Sequence, residues 1–295
     1  MRTFNMKSIA FDAFVALSVA AFCLAGSHSD HSDRWTVRET ETIEKTLNLS
    51  GPPMRLMVDN VDGYVHVTGT SGSQVRVTAH KTIRAETDAD LKEAKSEVKL
   101  NMEEKPGGVS VYYDAPWRCN GESGGCHGEF RHFYNVTYDI DVAVPSAARI
   151  VVSTVNGGDV SIEKTTGDFD VRNVNGGIRM LSVAGSGDVS TVNGPISVQF
   201  TKNPPGACSF KSVNGQLDVY FQPELSADLF FKTFNGQIYS DFDVAPRALP
   251  VTEPEQKNGR FVYHSNGMRA GRAGAGGPQF SFDTLNGNVR LHRGQ

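Results

Sequence analysis

The stretch Cys208-Ser209-Phe210-Lys211-Ser212-Val213-Asn214-Gly215-Gln216-Leu217-Asp218-Val219 carries the pattern that organises this chain. Two apolar residues one apart lead to a small polar residue, an apolar residue and Asn-Gly, after which alternation resumes. The same corner recurs at Val155-Asn156-Gly157, Val174-Asn175-Gly176, Val192-Asn193-Gly194, Phe234-Asn235-Gly236 and Leu285-Asn286-Gly287. Successive Asn residues are 19, 18, 21, 21 and 51 positions apart. An earlier copy, Leu56, Val58, Val61-Asp62-Gly63, Val65 and Val67, has Asp in place of Asn. The Asn156 copy holds one extra residue, which delays Val160 and Ile162 by a step.

Alternation with period two marks strands with one buried face. Asn and Gly tolerate the left-handed backbone region, so the pair marks a corner between two short strands. An antiparallel meander and a solenoid both use such corners. The position before each apolar–Asn-Gly corner reads Asn60, Thr154, Asn173, Thr191, Ser212, Thr233 and Thr284, always small and polar. In a solenoid these residues, and the corner asparagines Asn156, Asn175, Asn193, Asn214, Asn235 and Asn286, would stand in columns and bond from coil to coil. A meander supplies no reason for two such columns. The expected fold class is therefore all-β, a parallel β-helix-like solenoid with coils of roughly 20 residues and Asn-Gly corners. Seven contiguous coils would stack to about 34 Å. Cys208 takes an inward slot equivalent to Phe169 and Leu229 and reads as a small buried thiol.

Outward from the repeats, residues 245–278 form an insertion rich in Pro, Gly and Arg. Arg260 to His264 suits a strand there, and Gly267 to Gly277 reads as a mobile loop. Arg269 and Arg272 in that loop are candidates for touching anionic lipid or glycan. The solenoid region is taken as 148–295, and 38–147 as an N-terminal β-rich part. In the latter, Arg38 to Leu49, Gln74 to Lys81, Val109 to Tyr113 and Tyr134 to Val144 alternate as strands. Thr87 to Lys95 is the one short helix, with Thr87 as cap, Asp90 at the capping-box position, and Leu91 and Ala94 on one face. This part would sit as a lid on the coil stack.

Residues 1–27 have the layout of a secretory signal peptide: Arg2 and Lys7, an apolar run from Ala13 to Ala25, and a cut near Ser27. A lipid anchor on Cys23 is opposed by Phe22, which stands where a small residue is needed. Residues 28–37 form a leader. Gly26-Ser27-His28 would suit copper or nickel were the cut after Ala25, although a solvated leader accounts for His28 and His31 as well. The mature chain would be exported, to the periplasm or the cell surface, with no membrane-spanning run of ~18 residues. A formal net charge of −4 for 295 residues, 21% of them charged, argues against nucleic acid as partner. Export also permits a disulfide between Cys119 and Cys126, which bracket a Gly-rich turn. Zinc held with His127 and His132 fits less well, because six residues separate the cysteines. Around that loop lie Tyr112, Tyr113, Trp117, Phe130, Phe133 and Tyr134, either a local packing cluster or an exposed binding patch.

Together, the signal peptide, the Val-Asp-Gly copy, the helix and the Asn-Gly repeats resemble a bacterial adhesin family known as domain of unknown function 4097. The ending Leu285-Asn286-Gly287-Asn288-Val289-Arg290-Leu291 is similar to that family's usual close. The resemblance spans Arg38 to Arg293 and implies a β-solenoid on extracytoplasmic proteins, with no catalytic residues to carry over. The cysteine loop and the insertion depart from it.

Chemistry is sparse. A polysaccharide lyase would need carboxylates and a basic residue converging on one coil face. Asp159, Asp168, Asp170, Asp188 and Asp218 mostly sit beside Gly at corners, where solvated turn carboxylates are expected. No Gly-x-Ser-x-Gly elbow or His-Glu-x-x-His helix occurs, and Ser153, Ser190 and Ser212 have no evident His partner. The reading is a non-catalytic exported adhesin-like protein, without cofactor or metal, that binds or scaffolds a cell-envelope polymer or surface protein. A carbohydrate-active β-helix enzyme and an envelope-stress sensor are the alternatives. Of the sequence features, the aromatic group by the cysteine loop is the favoured patch.

Overall fold

From Arg149 onward the chain changes sheet at every corner. Arg149–Ser153, Phe169–Arg172, Gly187–Asn193 and Cys208–Asn214 lie in one sheet, here sheet II. Val160–Glu163, Ile178–Val183, Ile196–Phe200 and Leu217–Phe221 lie in the other, sheet I. Each strand pairs in parallel with its counterpart one repeat away, Phe169 opposite Ile150 and Ile178 opposite Val160, which excludes the meander. The computed structural model describes residues 18–19, 35–49, 51–52, 54–118, 132–248, 255–257, 260–262 and 268–294. The expected signal peptide apart from 18–19, residues 28–34 of the expected leader, Cys119, Cys126, His127 and Phe130 lie outside these. The protein is mainly β, with a single helix among the described residues.

Alternation builds the interior. Most repeat strands turn in two or three apolar side chains, and 53 buried apolar residues among those described form one continuous core from Leu47 to Leu291. Parallel register places like side chains about 4.8 Å apart, a spacing that stacks aromatic rings. Phe200 stacks on Phe221 at 5.5 Å, and Phe210, Phe282 and Phe231 stack at 5.3 Å each; across the interior, Phe280 of sheet II stacks on Phe221 of sheet I at 5.3 Å. Cys208 is a free thiol in this interior, 3% exposed, and burial pushes its pKa up to about 11.

The order of coils is not the order of sequence. Gln279–Asn286 lies between Cys208–Asn214 and Ala227–Asn235 in sheet II, and Val289–Arg293 lies between Leu217–Phe221 and Ile238–Ser240 in sheet I. The last copy thus fills the penultimate place, and Phe282 gains a stacking ring on both sides. The expectation of a loop at Gly267 to Gly277 is overturned in part. Arg269–Ala273 is a strand, antiparallel both to Ala227–Asn235 and to Val244–Arg247, with a turn after it. Its glycine permits this pairing, because a side chain at Gly271 would strike Val244.

At the other end the N-terminal strands do not form a separate lid; they continue both sheets. Arg55–Asp59 pairs with Arg149–Ser153 on one side and Gly108–Asp114 on the other, and Lys99–Lys105 closes sheet II antiparallel. Sheet I continues through Val65–Thr70, Tyr134–Pro145, Gln74–Ala85 and Val37–Asn48. The helix, Asp88–Glu97, has the full capping box between Thr87 and Asp90 and buries Ala94. Beneath its end, Lys81 is 6% exposed and donates to the Val98 carbonyl at 2.9 Å, and burial lowers its pKa.

Two hydrogen-bond columns run along the corners. Asn175 donates its side-chain amide to Asn156, Asn193 to Asn175, Asn214 to Asn193, Asn286 to Asn214 and Asn235 to Asn286, at 2.7–2.9 Å. Behind them, Asn173, Thr191, Ser212, Thr284 and Thr233 donate at 2.9–3.1 Å to the corner glycine carbonyl of the preceding coil, Gly158, Gly176, Gly194, Gly215 and Gly287 respectively. The corner glycines have a different cause from the expected left-handed backbone, which holds only at Gly63 and Gly157. Elsewhere the glycine Cα rests on the corner before it: a Cβ at Gly215 would collide with the Gly194 carbonyl, and one at Gly287 with that of Gly215.

Asn193 both donates and accepts, whereas Asn235 ends the ladder and donates one bond among the described residues. At a net ~0.5–1.5 kcal/mol per bond, Asn193→Ala will cost about 1–3 kcal/mol and Asn235→Ala about half as much. Urea unfolding of the two variants measures that ratio. Equal losses would mean that the amides do not carry the stacking.

Candidate functional site

Strand parity decides what faces outward. In Cys208–Asn214, Phe210 and Ser212 point inward, so Lys211 and Val213 must point out. The apolar residue before each Asn therefore stands on the outer face of sheet II. Val155 and Val174 are half-buried there, and exposure rises along the stack through Val192 (39%), Val213 (40%) and Leu285 (47%) to Phe234 (80%). Like positions are in register from coil to coil, as Asn214 is with Asn286 and Asn286 with Asn235. The apolar residues accordingly form one straight column. Between this column and the next lies a shallow groove of ≈ 670 Å³, lined by Lys211, Val213, Lys232, Phe234, Asp283 and Leu285. Lys232 pairs with Asp283 at 3.6 Å.

Beyond Phe234 the same face continues onto the antiparallel strands. Asp228 is gripped there by Arg272, at 2.8 and 3.4 Å, and by Arg247 at 2.5 Å. These two arginines come from Arg269–Ala273 and Val244–Arg247, so one carboxylate ties both added strands to the last parallel one. Its hydrogen bond from Arg272, foremost, and the one from Arg247 hold the carboxyl below its ordinary 3.8. Arg272 is therefore engaged within the sheet, not on a loose loop.

The aromatic group favoured from sequence is split by the fold. Tyr113 and Tyr134 are 2% and 5% exposed. Tyr113 meets Tyr138 edge-on at 5.4 Å and donates to the Val136 carbonyl, and Tyr134 donates to Glu97 at 2.6 Å. Burial, first of all, raises both phenol pKa values. These two rings are core, which corrects their assignment to a surface patch. Trp117 packs on the core and lies 4.1 Å from the His132 ring, and Tyr112 carries the Arg118 guanidinium over its face at 4.5 Å. Of the described members only Phe133, at 44%, is exposed.

The corner carboxylates do not converge. Asp159 accepts from the Gly177 amide at 2.6 Å and Asp168 from the Ser186 amide at 2.9 Å. Asp170 binds Arg172 through both oxygens at 3.0 Å, on the outer face of sheet II. Asp218 is on sheet I, where sequence reading missed a cluster. There His292 meets Asp218 at 2.9 Å and Asp241 at 4.0 Å, Arg290 lies 3.6 Å from Asp218, and His292 stacks on Tyr220 at 4.4 Å. The register of Leu217–Phe221 with Val289–Arg293 assembles this group. His292 and Asp218 are 74 residues apart in sequence. Among the described residues, no group of three or more His, Cys, Asp or Glu is placed to hold a metal ion.

Fold and face together define an all-β, two-sheet protein with a fixed outward surface. No family model and no curated protein matches the sequence, so the family resemblance rests on its motifs. Solved structures that it resembles include a "putative cell adhesion protein" from Clostridium sporogenes, at 8% identity and TM-score 0.41, covering 87% of this chain and 100% of that one. A "putative adhesin" from Bacteroides fragilis matches at 11% identity and TM-score 0.39, over 85% of this chain and 96% of that one. A "putative lipid binding protein" from Parabacteroides distasonis matches at 9% identity and TM-score 0.27, with the same coverage. No ligand of this chain follows from such similarities.

The Asp228 clamp sets a pH dependence. Because the folded carboxyl titrates below its unfolded value, its contribution is complete above about 4. The contribution disappears as the pH falls through the lower folded value. Hydrogen-exchange protection of the Arg269–Ala273 amides will drop over that acid window while protection of Cys208–Asn214 persists. In Asp228→Asn the drop will already be present at pH 7.

Proposed function

We propose that this chain is an exported, non-catalytic, adhesin-like β-solenoid protein that binds or scaffolds cell-envelope components through the outer face of sheet II. The observation that carries the reading is the apolar column, whose exposure reaches 80% at Phe234 on a surface locked from behind by the corner bonds. A backbone fixed in that way loses little freedom on binding, so more of the contact energy appears as affinity. Regular spacing along the coils suits a repeating polymer or an extended surface, where several weak contacts act together. Among the described residues no helix is long and apolar enough to cross a membrane. Export is carried by the signal-like residues 1–27, and the partner is a cell-envelope component: a glycan, a lipid or a protein.

The enzyme alternative draws its support from one place, the Asp218, His292, Asp241 and Arg290 cluster. A lyase needs its base and its carboxylates around a bound chain. Here the imidazole is already stacked on Tyr220 and paired to Asp218. Neither the groove by Phe234 nor the one by Met57 and Tyr112 includes these residues.

The test is binding of the purified mature chain to an array of envelope glycans, peptidoglycan fragments, lipids and surface-protein extracts, with turnover followed in the same wells. Saturable binding without product is expected. Phe234→Ser will weaken it by roughly tenfold, the worth of burying one large apolar side chain, and Phe133→Ser will leave it unchanged. Product release that His292→Ala abolishes would replace this reading with the enzymatic one.

A further inference from the structure

We infer that the component bound is an anionic lipid surface, met by the C-terminal end of sheet II with Phe234 and Leu285 entering the lipid. This rests on the binding role proposed above and names its ligand. The most exposed members of the column, Val213, Leu285 and Phe234, lie in successive coils. A column of like positions presents its members on one side of the sheet, as contact with a bilayer requires. Phe at the tip of such a strip is the kind of side chain that seats at the boundary of headgroups and acyl chains.

Charge on this face changes sign along the stack. In the Asn175 and Asn193 coils its outward charges are Asp170, Asp188 and Arg172. From the Asn214 coil to the added strands they are Lys211, Lys232, Arg247 and Arg272 against Asp228 and Asp283. The first group sums to −1 and the second, four cations less two carboxylates, to +2. The whole chain stands at −4, so the positive end is local and coincides with the largest apolar side chains. Lysine is depleted in the cores of protein–protein interfaces. Beside an anionic lipid surface it is favoured, and its long stem lets the ammonium reach phosphates while the methylenes lie along the apolar strip. A glycan is matched less well. The stacked pair Tyr220 and His292, on the opposite sheet, turn their faces to each other, and the strip by Phe234 is apolar.

The experiment uses the full mature chain and vesicles of phosphatidylcholine, with and without phosphatidylglycerol. Sedimentation with the anionic vesicles is expected and with neutral ones is not. The binding should fall steeply with added salt. Lys211→Gln with Lys232→Gln will reduce partitioning by about 25-fold, at roughly fivefold per basic residue. Phe234→Trp, read against the parent's own tryptophans, will gain fluorescence that bromine-labelled lipid quenches. No association with anionic vesicles, or equal association with neutral ones, overturns the inference. If the chain then binds peptidoglycan or a protein and Phe234→Ser removes that binding, the proposed function stands and only the lipid assignment falls. Silence toward every ligand overturns both. The salt series on the unsubstituted chain keeps the test valid should a variant fail to fold.

Discussion

Close approach of one corner glycine to the carbonyl of the next is the constraint on which this structure depends. At Gly194, Gly215, Gly236 and Gly287 a single added carbon would collide with the backbone of the preceding corner. Without it, each coil settles directly onto its neighbour, and three consequences follow. The asparagine amides come within bonding distance of one another. The small polar residues reach the glycine carbonyls and supply their partners. Side chains of successive coils fall into register, which stacks the phenyl rings inside and aligns the apolar column outside. Every amide and hydroxyl in the two columns from Asn173 onward donates toward the same end of the stack, so the bonds polarise one another in one sense.

Stacks of parallel strands must end somewhere, and in sheet II each end changes to antiparallel pairing. Sheet II finishes with Lys99–Lys105 at one end and with Val244–Arg247 at the other. The first edge carries Lys99, Glu103, Glu104 and Lys105, and the second carries Pro246, which has no amide to offer a further strand. The clamp on Asp228 belongs to the same device, since it fastens the two added strands across the last parallel one. The ends of sheet II are thereby made poor templates for other chains.

How far the sequence could be read follows from how local each signal is. Corners, strands and the small polar column were legible because a twenty-residue window contains all of them. The capped helix was legible from Thr87 and Asp90 for the same reason. The place of the last coil was not, because Phe280 and Phe282 fit beside Phe210 or beside Phe231 equally well by pattern, and only three-dimensional pairing selects both. Arg269–Ala273 lacks alternating apolar residues; its strand is made by the backbone of its neighbours and by Asp228. The outward column was present in the letters, for if Phe210 and Ser212 face in, Val213 faces out. Parity also placed Tyr113 and Tyr134 inside, beside the buried Val111 and Val136, and composition alone obscured it.

Insertion of the final coil between two earlier ones has a consequence for how the molecule is made. As the chain emerges from synthesis, Ala227–Asn235 is complete long before its neighbour Gln279–Asn286 exists. In that interval the nearest matching partner is Cys208–Asn214, and the corner chemistry offers no objection to their pairing. The native order then demands that this contact stay open or be undone, so the C-terminal coils become a late and slow event on an otherwise sequential assembly. A chain stopped before Gln279 would be able to close its stack in the wrong order and leave no place for the missing coil. The last fifteen or so residues thus act as the keystone of the arrangement rather than as its tail.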